Sequence, residues 1–162
     1  MKLKTYILCV FILITTNACE GVKSNQSCES MLVKSSYEDI DTILRLSAPP
    51  HLNSFKSDDL IAVVVDNNSK TAIEVSPDWD LKIFWWKENS WNAVKNGMDY
   101  LSAVDRLSPE TSDDPGGTIY TIALGIPEQQ DPVRLCITLE GINDPDGTRT
   151  KVAAYTEIVI NP

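Results

Sequence analysis

Apolar and polar residues alternate with a period of two along most of this chain, and that limits what it can fold into. Val133, Leu135, Ile137 and Leu139 alternate with Arg134, Cys136 and Thr138, and Val152, Ala154, Thr156, Ile158 and Ile160 repeat the pattern near the end. Successive side chains of a strand point to opposite faces, so each run must lay one face against another sheet. The densest stretch is Trp79–Val94. One side of it carries Trp79, Leu81, Ile83 and Trp85, the other Asp80, Lys82, Phe84 and Trp86. Lys87-Glu88-Asn89-Ser90 interrupts the pattern and Trp91-Asn92-Ala93-Val94 resumes it, which predicts a hairpin with Trp86 across from Trp91.

Further strands are predicted at Ile40–Leu46, Leu60–Val65, Thr71–Val75 and Thr118–Leu124, separated by turn chemistry such as Asp66-Asn67-Asn68-Ser69 and Asn143-Asp144-Pro145-Asp146-Gly147. Leu60–Val65 is apolar on both faces and rich in β-branched residues, and reads as a central strand. Residues 98–117 are ambiguous: Met98, Leu101 and Val104 sit at helical spacing, yet the window also suits an edge strand. Strands at this spacing without a convincing helix give an all-β, antiparallel two-sheet sandwich of about seven or eight strands. Cys136 falls on the face of its strand turned away from the main core.

The first eighteen residues have the form of an export signal. Lys2 and Lys4 open it, Tyr6–Ile14 is apolar, and Thr16-Asn17-Ala18 is a small-residue cleavage site. The apolar run is far shorter than the ~20 residues a spanning helix needs. Losing Lys2 and Lys4 with this leader takes the formal charge from −9 to −11. That acidity disfavours nucleic acid and anionic headgroups as partners. Residues 19–38, rich in serine, read as a polar tether, and 39–162 as one sandwich domain.

Thr16-Asn17-Ala18-Cys19 resembles the lipobox of bacterial lipoproteins, with Thr16 where that family usually has leucine. The resemblance implies that Cys19 is diacylated and becomes the mature N-terminus; plain secretion after Ala18 is the alternative. Three cysteines, Cys19, Cys28 and Cys136, remain after the leader, an awkward number for an oxidising compartment. Lipidation of Cys19 leaves Cys28 and Cys136 as a disulfide pair. The strand order over residues 40–160 resembles the immunoglobulin-like domains of small bacterial envelope lipoproteins. Asp59–Ser69, Leu81-Lys82-Ile83-Phe84 followed by Trp91, and Ala153-Ala154-Tyr155 carry that resemblance. It implies a lipid-anchored binding module facing an envelope protein or a glycan. A second similarity, to bacterial proteinase-inhibitor-like sandwiches, implies an inhibitor that presents a loop such as Ser108–Gly117 to an envelope hydrolase.

Catalytic chemistry finds little support. His51 is the only histidine and lies in a proline-rich connection, and no nucleophile elbow, phosphate loop or zinc signature is present. The expectation is a protein that is not an enzyme and carries no cofactor. Asn143, Asp144 and Asp146 offer hard oxygens for calcium, and Asp113 with Asp114 offer more, but Ile142 occupies the first ligand position of the calcium loop. Phe84, Trp86 and Trp91 form the candidate ligand patch, since clustered exposed aromatics mark binding surfaces.

Overall fold

The computed structural model describes residues 26–53, 60–76, 80–94, 105–109, 111, 116–123 and 131–161. The predicted all-β sandwich is the fold that forms. One sheet contains β1 (Asp39–Ile40), β3 (His51–Asn53), β5 (Ile73–Val75), β6 (Leu81–Lys87), β7 (Ser90–Ala93), β8 (Asp105–Leu107), β10 (Val133–Asn143) and β11 (Thr150–Asn161). The other contains β2 (Leu44–Ser47), β4 (Leu60–Asn67) and β9 (Thr118–Ala123), in the order β2-β4-β9.

The long antiparallel pair β10–β11 is the spine of the larger sheet, in register from Val133↔Ile160 to Asn143↔Thr150. On its other side β10 carries β6, with Ile137 opposite Ile83, and further along β5, with Ile142 opposite Glu74. The β6–β7 hairpin closes through Glu88 and Asn89, both left-handed at φ 54° and 61°. Two consecutive left-handed residues give a two-residue turn whose twist matches that of the flanking strands. That turn fixes the register, so Trp86 does lie opposite Trp91.

The core fills the space between the sheets. Val63, Val65 and Ile122 come from the smaller sheet and Ile73, Leu135, Ile137 and Leu139 from the larger, all without exposed surface. At ~1.5–3 kcal/mol for each such side chain removed from water, this layer dominates the favourable side of folding.

Two expectations need correction, and a third holds with a qualification. Ile40–Leu46 is not one strand: the chain turns at Asp41 (φ 61°), while Asp39 Oδ1 accepts hydrogen bonds from the amides of Thr42 (3.1 Å) and Ile43 (3.0 Å). Asp tolerates the left-handed region and its carboxylate competes with the ladder for nearby amides. The chain therefore leaves the larger sheet at β1 and enters the smaller at β2. Leu60–Val65 is the central strand expected of it, although its second apolar face is not covered. Leu60 is 64 % exposed, and so, at 63 %, is Ile119 on β9. Finally, the described strands number eleven, because β1, β3 and β8 are short pieces, and β1 and β3 join β11 in parallel. Of the ambiguous window 98–117, Asp105–Leu107 is an edge strand on β5. The spacing of Met98, Leu101 and Val104 lies outside the described residues.

Candidate functional site

The segment before β1 is a strap across the outer face of the larger sheet. Cys28 and Cys136 are joined by a disulfide with their Cα atoms 5.3 Å apart, closing a sequence separation of 108 residues. Both cysteines are buried (1 % and 0 %), and so is Leu32 at 5 %. They lie apart from the main core, on the side of β10 that the alternation assigned to Cys136. Two short 3-10 turns, Cys28–Met31 and Lys34–Ser36, carry the strap over, and Glu29 pairs with Lys34 at 2.7 Å. The amide of Glu38 then donates to the carbonyl of Lys151 at 3.0 Å, where β1 begins on β11.

At the other end of the strap lie the aromatics. The Trp86 and Trp91 rings are 5.1 Å apart and meet edge to face at 70°. Such a pair contributes ~0.5–1.5 kcal/mol beyond its buried area. The Arg134 guanidinium lies 5.4 Å from the Trp86 ring centre and 5.3 Å from that of Trp91. Glu157 holds it by two bonds, at 2.6 Å to Nε and 3.2 Å to an outer nitrogen. Trp91 Nε1 donates to the carbonyl of Gln26 at 3.3 Å. Phe84 sits on the same face, opposite Ala93 on one side and Cys136 on the other. Trp85 points the other way, packs in part against the core, and has Lys87 Nζ 5.1 Å from its ring centre.

Phe84, Trp86 and Trp91 are thus brought onto one face, each half-buried. They do not make a flat plate: the rings are steeply inclined, and Arg134 occupies the angle between them. Arg134, Glu157 and Gln26 are the members that sequence reading missed. Alternation placed Arg134 outward, but only the long-range pairing of β6 with β10 puts it beside Trp86.

Farther along the same sheet, Tyr37, Asp80, Glu140, Gly141, Ile142 and Lys151 line a shallow cleft. Glu140 is ion-paired with Lys82. Burial raises the Asp80 carboxyl, against the pull of a 2.7 Å hydrogen bond from the Ser76 amide. Burial also pushes the Tyr37 phenol up to about 12, assisted by its hydrogen bond to Glu140 and by that carboxylate's charge. The folded phenol therefore keeps its proton where the unfolded one, ordinarily at 10.0, has lost it. Stability is expected to fall as pH rises from about 10 to about 12. Tyr155, also raised by burial, acts with the same sign. A phenolate absorbance titration of Tyr37→Phe should lack one step near pH 12, and its denaturation midpoint should fall less steeply across that window.

No family model matches the chain, and no curated protein matches it. The remaining candidates are scattered. His51 is exposed on β3, beside Val159 of β11. Asn143 Oδ1 is turned inward and accepts from Thr71 Oγ1 at 2.6 Å, whereas Asp144 and Asp146 are exposed. Among the described residues no three His, Cys, Asp or Glu side chains gather to hold a metal. Cys19, Trp79, Asp113, Asp114 and half of the Ser108–Gly117 loop lie outside the described residues.

Proposed function

We propose that the chain is an exported, lipid-anchored envelope protein whose sandwich works as a binding module and catalyses no reaction. The observation that carries this reading is the disulfide between Cys28 and Cys136. Disulfides persist in oxidising compartments, so a strap stapled in this way suits a protein that has left the cytoplasm. The bond also accounts for two of the three cysteines that follow the leader and leaves Cys19 alone, in the position that a lipobox assigns to acylation. Two acyl chains give stable attachment where one gives only marginal binding. Binding is favoured over catalysis by the grouping of aromatics with a held guanidinium, while the one histidine stands apart on β3. Aromatic and arginine side chains are the residues that dominate interaction surfaces.

Mass spectrometry of the protein made from the full chain in a bacterial host tests the reading. The expected product begins at Cys19, carries acyl groups there, and has lost two hydrogens to the Cys28–Cys136 bond. A product that starts elsewhere, or carries no lipid, overturns the anchor.

A further inference from the structure

We propose that the β6–β7 hairpin seats on the surface of a lipid bilayer with zwitterionic headgroups, placing Trp86 and Trp91 in the headgroup layer. This rests on the lipid-anchored reading above, and it names the partner of the aromatic patch.

The first support is where the strap leads. Cys28 is fixed to β10, and two residues earlier the carbonyl of Gln26 accepts from Trp91 on β7. Gln26, the first described residue, thus lies beside Trp91 of β7. Among the described residues, β7 pairs with β6 alone.

The second is length. Gln26 follows Cys19 by seven residues, a span of at most about 25 Å when fully extended. A domain of this size is roughly 35–40 Å across. With Cys19 held in the bilayer, the far end of the sandwich cannot touch the membrane without lifting Gln26 beyond the reach of its tether. The β7 edge is the part kept close.

The third is composition. The hairpin presents Trp85, Trp86 and Trp91, all half-exposed, with Lys87 and Glu88 at its exposed turn. Tryptophan prefers the membrane–water interface because its ring is apolar and its N–H needs a polar partner. The turn's two charges cancel, and the mature chain is strongly acidic. Neutral headgroups therefore suit it, and anionic ones repel it.

The test uses the acylated full-length product, confirmed by mass, in phosphatidylcholine vesicles with and without bromine near the headgroup end of the acyl chains. Bromine quenches tryptophan only at close range. The expected result is a loss of emission in brominated vesicles that Trp86→Phe/Trp91→Phe largely removes. Lys87→Glu, which keeps Trp86, Trp91 and the core and gives up only the contact of Lys87 with the Trp85 ring, should reduce quenching, and the wild type should be quenched less when anionic lipid is mixed in. Acylated protein whose emission is the same in both vesicles overturns the docking and leaves the anchor standing. A product without acyl groups overturns both.

Discussion

Replacing Cys28 and Cys136 together with alanine should cost about 4–5 kcal/mol of folding stability, the largest effect expected from any pair of substitutions here. The bond closes a loop of 108 residues, and the entropy withheld from the unfolded chain by a loop that long is worth about 4.7 kcal/mol. Two buried side chains, one on the strap and one beneath it, are truncated at the same time. With a urea dependence of ~1–3 kcal/mol per molar for a domain of this size, the midpoint should drop by about 2 M. A shift below about 0.5 M would mean that the strap is incidental to the fold. The loss should also be local: without the staple, Leu32 and the Gln26–Trp91 bond have little to hold them. Proteolysis under native conditions should then cut the strap well before the sandwich.

Gly117→Ala is the second large effect. Gly117 has φ +78° where the chain enters β9, and a Cβ there would lie 1.9 Å from the carbonyl oxygen of Val65. The left-handed conformation alone costs an ordinary residue ~1–2 kcal/mol. Forcing β9 away from β4 adds a further ~1–3 kcal/mol, as other overpacked sites do. Gly147 provides the control. Its φ is also +78°, but no atom lies within 4 Å of an added Cβ. Gly147→Ala should show only the backbone part, so the two midpoints in urea should differ clearly. Equal losses would contradict the close approach of Gly117 to Val65.

Much of the fold was legible because it is written locally. The alternation in Val133–Leu139 named the inward face of β10 and put Cys136 on the other, and four polar residues between two tryptophans set the hairpin register. What failed was decided at a distance. Nothing in Ile40–Leu46 announces that Asp39 will take the amides of Thr42 and Ile43 and send the chain to the other sheet. The apolar run at Leu60–Val65 marked a central strand correctly, but a sequence does not reveal whether a third layer exists to cover Leu60. The aromatic patch was half visible: Trp86 and Trp91 follow from the hairpin, whereas Arg134 and Glu157 reach it only through pairings of strands far apart in the chain. That the serine-rich segment is tied back through Cys28 and crosses the Cys136 face followed from the cysteine count and the alternation; its one leucine, Leu32, was too sparse a signal to show that the segment also packs there.

The two short parallel strands have a consequence for how the protein avoids its own kind. β11 is twelve residues long, and its outer side would otherwise offer a row of free amides and carbonyls to any passing chain. β1 occupies that rim at Val152 and Ala153, and β3 occupies it from Val159 to Asn161. Each is too brief to recruit a stranger, yet together they leave only a short central gap on the rim. Both precede β11 by about a hundred residues, so during synthesis the guards of this border emerge before the strand that needs them.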